Sequence, residues 1–531
     1  MRGLFTRRDS LLIFLILLLA YCYVMPRWAD WSQNSRVNLV RAMVEQGTTR
    51  IDAYVENTGD YALFEGHAYT DKAPGPAFAG LPFYAAVSPL LDQPFIASKL
   101  AGLSGGGAMS STLNPEGTGI QNDKIRHFVA LLTVTVTTVA IPAAAFGVLL
   151  YATLGWFGFS RGVRLVVTLG YALATPALAY AGNFYSHQFT AVLLFGAFAL
   201  LLGVGETRVH DSSRESQGAA FSLLRNRTSP RPIRRALLFG LLCGFALISE
   251  YPSAIIVAAF GVVALLRFTP RQLGVAVIGG LLPLTLMAVY DLRSFGTIIP
   301  VGYAHSALWQ DQHHTGFLSI TYPRPEALWG LTFSPFRGLF VRAPWLLLAI
   351  PGFVLWWRTR EQRTAWWVAL VATVGLTLFY GSSIMWWGGY GVGPRYLVPM
   401  FPFLALAAAY AIRWLWTSLA GRVATIAVVS VSGVLTWAET VAGQTLPPDS
   451  FRQPWLEYTI PAWIEGNIAR NFGMALGLQG AASLLPLAIL MALILTFLLV
   501  PRRPSAAHEV TSDQRNIPTP ATSVVSEKPS G

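Results

Sequence analysis

Residues 7–25 read RRDSLLIFLILLLAYCYVM: two arginines, one acid, then an apolar run from Leu11 to Met25. Extended to 10–26, the run approaches the roughly 20 residues that a helix needs to cross a bilayer. Arg7 and Arg8 make a signal-like basic start, but no small-x-small cleavage site follows. Tyr21 is bulky where the lipoprotein-like box Leu19-Ala20-Tyr21-Cys22 needs a small residue, so the run reads as an uncleaved anchor. The segment after it is dense in charge and turns, while most of the remaining chain is oily. The polar chemistry is therefore expected just outside the first helix.

Composition agrees with a membrane class. The chain has 531 residues, 53% hydrophobic and 12% charged, against about 25% charged in ordinary soluble domains. Its 17 Trp suit interfacial belts and aromatic-lined grooves. The net charge of +12 lies in short loops between apolar runs, which is the positive-inside pattern and not a nucleic-acid footprint. Cys22 and Cys243 both fall in apolar runs, so no disulfide framework is expected.

About twelve apolar runs are long enough to read as spans: 10–26, 127–153, 164–181, 188–205, 236–250, 252–267, 272–290, 342–357, 364–380, 397–412, 422–441 and 476–500. The pair around Glu250-Tyr251-Pro252 reads equally as a re-entrant turn. With the N-terminus inside, the inside stretches hold Arg161 and Arg164, the basic stretch 208–235, Arg267 and Arg271, Arg358, Arg360 and Arg363, Arg413 and Arg422, and Arg502 and Arg503. The outside stretches hold most of the acids. An all-α, polytopic helix bundle in the inner (plasma) membrane follows, with both termini in the cytoplasm.

This divides the chain into a first helix (1–26), an outside loop (27–126), a bundle (127–500) with outside loops 291–341, 381–396 and 442–475, and a disordered cytoplasmic tail (501–531). Within 27–126, the spacing over Val37–Gln46 predicts an amphipathic helix in the interface. Ala77 to Leu91 reads as a second interfacial helix, broken by Pro82 and Pro89. Residues 102–122 read as a mobile loop. Asn226-Arg227-Thr228 matches a glycosylation acceptor but falls on the inside.

Asp52, Asp60 and Asp71 lie close in sequence on the wet side and offer a general base with an orienting partner. His67 and Tyr69 add hydrogen-bonding groups, and Lys72 is a cation among the acids. The plain alternative is a solvated loop whose acids cap helices. Residues 386–396, WWGGYGVGPRY, form the second candidate: glycines let backbone N–H groups approach a ligand, Arg395 offers a phosphate clamp, and Trp387 and Tyr390 offer stacking faces. The alternative there is an aromatic belt with a snorkelling arginine. Arg337, in FSPFRGLF (333–340), is a further phosphate candidate. His187, in the turn Asn183–Gln188, is more often structural. His313-His314 has no acid at metal-ligand spacing, and no metal site is assigned.

The first outside loop resembles that of the polytopic GT-C glycosyltransferases, in the bacterial branch similar to protein O-mannosyltransferases and aminoarabinose transferases. Arg36 matches an arginine of that loop, Gly47 its turn, and Tyr69-Thr70-Asp71-Lys72-Ala73-Pro74 its closing motif. The resemblance in organisation covers about residues 10–415. It implies a polyprenyl-phosphate-linked sugar donor, a cell-envelope acceptor, contact with membrane lipids and, in some members, a divalent metal. The motif match is confined to the first outside loop; with the residues read above, the candidate substrate-binding set is Arg36, His67, Tyr69, Lys72, Arg337, Trp387, Tyr390 and Arg395. One departure stands out: Gln33-Asn34 occupies the position of the usual catalytic acid, and Asp30 is out of register. The base is then sought among Asp60, Asp71 and Asp52. A transporter or flippase of a lipid-linked saccharide is the alternative, and a non-catalytic scaffold the third reading. Transporters favour ionisable groups near the midplane and repeated halves, neither of which the sequence presents.

Overall fold

A stretch of apolar side chains becomes a helix wherever backbone polar groups must be satisfied without water, and this rule organises the chain. The computed structural model describes residues 7–27, 30–105, 124–204, 232–309, 311–312 and 319–500. The readings for 106–122, 208–231, Asn226-Arg227-Thr228, His313-His314 and the tail 504–531 lie outside these.

Most of each apolar run falls on helix among the described residues, with run 164–181 split into Arg161–Leu173 and Ala177–Ala181. Among the described residues six helices are long and apolar enough to cross a membrane: Lys124–Trp156, Pro270–Phe295, Arg363–Gly381, Arg395–Leu415, Leu419–Val441 and Gly480–Leu499. Shorter apolar helices cover Gly75–Leu91, Ser186–Leu202 and Tyr251–Arg267, and the first helix, α1, covers Arg7–Tyr23. The segment around Glu250 is a break between Ile233–Ser249 and Tyr251–Arg267. Helix Arg395–Leu415 sits at the centre, with 89% of its apolar window buried. Helices Pro270–Phe295 and Gly480–Leu499 lie at the rim and leave Leu281, Leu282, Leu286, Ile489 and Leu493 more than 40% exposed. In water such faces would be costly, and in lipid they are the matching surface. The chain is a multi-pass membrane protein.

Small residues set helix spacing. A Cβ on Gly240 would collide with the Ala276 carbonyl, and one on Gly244 with that of Gly280, so Ile233–Ser249 and Pro270–Phe295 pack backbone to backbone. Large rings fill the opposite side: Trp345, Trp356, Tyr151, Tyr171 and Phe146 are fully buried in one core.

The first outside segment is built onto the bundle and not hung from it. Helix α2 spans Trp31–Arg41, and Asp30 caps it by accepting from the Gln33 backbone N–H. A turn over Ala42–Gln46 follows and ends on Gly47 in the left-handed region. The helix begins earlier than the Val37–Gln46 spacing suggests, and every residue from Ser32 to Arg41 is buried. Its polar residues find partners instead of water. Asn34 Nδ2 donates to the Asn57 carbonyl at 2.7 Å, Asn38 Nδ2 to Asn57 Oδ1 at 2.8 Å, and His127 Nε2 lies 3.1 Å from Asn34 Oδ1.

An element that helical reading misses comes next, a hairpin. Strand β1 (Tyr61–Phe64) pairs antiparallel with β2 (His67–Thr70), in register Tyr61↔Thr70 through Phe64↔His67. Glu65 and Gly66 turn the chain with φ of +49° and +79°, the double positive φ of a type I′ turn. Helix α3 (Gly75–Leu91) then runs through Pro82 and Pro89 unbroken. Its first residue must be small, because a Cβ on Gly75 would collide with Ser249 Oγ and the Ile248 backbone. Helix α4 (Pro94–Gly105) follows.

Candidate active site

The hairpin decides which acids meet. Tyr61 and Thr70 are paired, so Asp60 and Asp71 emerge side by side at its open end. Lys72 Nζ lies 3.0 Å from Asp60 Oδ2 and 3.2 Å from Asp71 Oδ2. The Trp309 indole donates to Asp60 Oδ1 at 3.3 Å, and the Ser306 hydroxyl to Asp71 Oδ2 at 3.2 Å. All three charged side chains are largely buried, Asp71 completely. Ser35 Oγ, 2.6 Å from Thr70 Oγ1, ties α2 to this end of the hairpin.

The two acids are not equivalent. Burial pushes the Asp60 carboxyl up, but the Lys72 ammonium, the Arg395 charge and the Trp309 hydrogen bond outweigh it and hold Asp60 below its ordinary value. Asp71 is pushed up, chiefly by burial and further by Asp60, against the pull of Lys72 and Ser306. Its Oδ1 is buried and has no partner. Lys72 is held above its ordinary value because the two carboxylates outweigh its burial. Asp71 is thus the more basic acid and has an oxygen to offer.

Asp52 and His67 do not join this cluster. They sit by the turn end of the hairpin, with His67 Nδ1 2.9 Å from Asp52 Oδ2 and both side chains more than a third exposed. Asp52 Oδ1 accepts from the Ala68 backbone N–H, so it secures the edge of the ladder. The grouping of three aspartates is corrected to a pair, because strand pairing puts a ladder's length between the two ends. Tyr69 is a core side chain, packed 5.2 Å from the Phe295 ring.

Above the pair lies a wall contributed by distant helices. Arg395 opens the central helix. Its guanidinium lies 5.2 Å from the Tyr185 ring and 5.4 Å from the Tyr396 ring, donates from Nη1 to the Tyr390 carbonyl at 3.1 Å, and keeps a buried, unpartnered Nε. Arg36 reaches the Ser32 carbonyl and hydroxyl, and Ser186 Oγ at 2.9 Å, with its Nε also buried and unpartnered. Ser186 donates in turn to Glu250, whose Oε1 lies 2.9 Å from His187 Nδ1. Neither guanidinium has a carboxylate within ion-pair distance among the described residues.

The glycine loop holds its shape through Arg337, which is fully buried. It donates to the carbonyls of Gly391 at 2.5 Å, Gly389 at 2.7 Å and Pro447 at 3.2 Å. Arg337 thus clamps the glycine loop through its Nη atoms, while its Nε is buried without a partner, as those of Arg36 and Arg395 are. Gly388, Gly389 and Gly393 have positive φ, and a Cβ on Gly388 would press to 3.0 Å from Arg395 Nε and 3.1 Å from the Tyr396 ring. Trp387 is pinned by its indole to Asp449 at 3.1 Å, and Tyr390 is 44% exposed at the loop's tip.

Gln33 and Asn34 occupy the place of the absent acid for a physical reason. Gln33 Nε2 donates to the Arg27 carbonyl at 2.9 Å, and its Oε1 accepts from the Phe184 N–H at 2.7 Å, so a neutral amide ties two loops where a carboxylate would lack a donor to match. Asp30, one turn earlier, reaches the site instead. Its Oδ2 accepts from Tyr185 OH at 2.5 Å. Burial raises its carboxyl above the ordinary value, against Tyr185, the Gln33 N–H and Arg395. Glu250 and Asp30 are the acids that sequence reasoning passed over. Their signals are faint: a lone acid at a helix break and a helix cap.

No group of three or more His, Cys, Asp or Glu among the described residues is placed to hold a metal ion. Of the nearest acids, Asp60 and Asp71 face Lys72 and Asp30 faces Tyr185, and Asp71 Oδ1 is left without a partner.

No family model matches the chain, and no curated protein sequence matches it. Among solved structures, it is similar to ArnT from Cupriavidus metallidurans bound to undecaprenyl phosphate, at 14% identity over 92% of this chain and 71% of that one, with a TM-score of 0.43. The apo state of the same ArnT gives 13% identity over 91% and 71%, with a TM-score of 0.42. The archaeal oligosaccharyltransferase AglB from Archaeoglobus fulgidus, in complex with an inhibitory peptide and a dolichol-phosphate, gives 11% identity over 81% of this chain and 56% of that one, with a TM-score of 0.42.

Proposed function

We propose that the chain is a membrane glycosyltransferase that moves a sugar from a polyprenyl-phosphate donor to a cell-envelope acceptor on the outer face of the membrane. The observation that carries this reading is the Asp60–Lys72–Asp71 cluster, with its one buried, unpartnered carboxylate oxygen. It lies below two guanidiniums that have no carboxylate of their own. One half suits an acceptor hydroxyl, the other a phosphate.

The chemistry divides accordingly. Asp71 Oδ1 takes the proton of the acceptor hydroxyl. The freed oxygen forms a bond to the anomeric carbon. The bond from that carbon to the phosphate oxygen breaks, and its electron pair leaves on the lipid phosphate. Arg395 and Arg36 stabilise the leaving charge with fixed donors. Lys72 holds both acids in place, and Asp60 keeps Lys72 charged. A lipid carrier confines the donor phosphate to the interface, which suits a site at the outer mouth of the helices.

The test is mass spectrometry of envelope glycans and lipid-linked sugars from cells with and without the chain. Loss of one glycan modification together with a build-up of its polyprenyl-phosphate sugar is expected. Unchanged profiles of both pools would overturn the reading.

A further inference from the structure

We propose that Glu250 and His187 form a carboxylate–imidazole pair that accepts a hydrogen bond from a hydroxyl of the donor sugar; this rests on the donor reading above. Glu250 sits at the break between two helices, and His187 in the first turn of Ser186–Leu202. Their side chains are 14% and 4% exposed, and Glu250 Oε1 lies 2.9 Å from His187 Nδ1. A carboxylate facing Nδ1 favours the tautomer with the proton there and leaves Nε2 as an acceptor. No described residue bonds Nε2.

The surroundings say what Nε2 accepts from. The His187 ring stacks at 5.9 Å on Tyr185 and meets Tyr396 edge-on at 5.5 Å and Tyr180 at 5.8 Å. The Arg395 guanidinium lies over the same Tyr185 and Tyr396 rings. Phosphate ligand and imidazole therefore contact one pair of aromatic rings. An acceptor nitrogen there suits a sugar hydroxyl. A purely structural pair would explain the pinning of the helix break to Ser186, but the Ser186–Glu250 hydrogen bond already does that. It leaves Nε2 without a partner among the described residues.

The experiment titrates the purified full chain with undecaprenyl phosphate, undecaprenyl phosphomannose and undecaprenyl phosphoglucose, following tryptophan fluorescence. The wild type should bind at least one sugar-bearing lipid about tenfold more tightly than the bare lipid phosphate, the worth of one well-made hydrogen bond. His187→Phe keeps the ring packing and Glu250→Gln keeps the shape. Both should lose that increment and keep the affinity for undecaprenyl phosphate, with unchanged melting. A retained increment in both variants, an equal loss for all three lipids, or no increment in the wild type would overturn the pair alone. Failure of the wild type to bind any of the lipids would overturn the donor reading and the pair with it.

Discussion

Asp60 and Asp71 are eleven positions apart in the chain and share one ammonium, Lys72 Nζ, at 3.0 and 3.2 Å. The pairing of Tyr61 with Thr70 is what brings them together, and it makes the acids unequal: one is matched on both oxygens, the other on one.

That inequality predicts a ranking. Asp71→Asn should lower the transfer rate by about 10²–10⁴, with donor affinity and expression kept. Asp52→Asn should leave the rate near wild type. Transfer assays on the purified variants decide it, and an inert Asp71→Asn would assign the base elsewhere.

Arg395 and Arg337 should respond in opposite ways. Arg395→Lys keeps the charge but not the planar fork, and should weaken undecaprenyl phosphate binding about tenfold. A snorkelling arginine would tolerate the change. Arg337→Met leaves three buried carbonyls without their donor, at about 1–3 kcal/mol each. It should lower the melting temperature first. Parallel thermal melts and lipid titrations separate the two.

Glu45 should contribute to acid stability. Its carboxylate takes Arg41 at 2.9 and 3.1 Å, Tyr54 at 2.8 Å, Tyr84, and Arg126 at 3.3 Å. Burial raises its carboxyl, but these donors outweigh burial and hold it at about 2, from an ordinary 4.5. A folded value below the unfolded one gives stability that is present above pH 4.5 and lost as pH falls towards 2. The shift corresponds to about 3 kcal/mol. Melting curves of wild type and Glu45→Gln should converge over that window. A constant gap between them would contradict the assignment.

Topology is open to single-cysteine labelling after Cys22 and Cys243 are replaced by serine. Glu65, on the hairpin turn, and Arg360, between two helices, are both exposed. Impermeant maleimide should reach Glu65→Cys in intact cells and Arg360→Cys only after permeabilisation. The reverse pattern would invert the protein.

Much of the helical layout was legible because length and apolarity act locally: the run at 476–500 and the helix Gly480–Leu499 nearly coincide. Lys72 and Asp71 were legible as neighbours in a motif. The hairpin was not, since strands of four residues carry little periodic signal. The burial of α2 was hidden for a different reason. Its polar residues look solvated until their partners are known, and Asp30's partner Tyr185 is 155 positions away. The carbonyl contacts of Arg337 were not legible, because a guanidinium near glycines reads alike whether it binds phosphate or carbonyls.

The outer end of α1 is met by the last outside loop. Met25 N–H donates to the Arg470 carbonyl at 2.8 Å, Val24 bridges Asn471, and Tyr23 OH reaches the Ser483 carbonyl at 2.7 Å. Residues 23–25 are therefore sealed by residues 470–483, far later in the chain. During translation the outer end of α1 must wait for these partners until about 445 further residues, from Met25 to Arg470, have been made, a long exposure for a segment whose stability depends on distant contacts. A nascent chain stopped short of Asn471 would carry every residue of the Asp60–Lys72–Asp71 cluster and still present quality-control proteases with an unsealed seam.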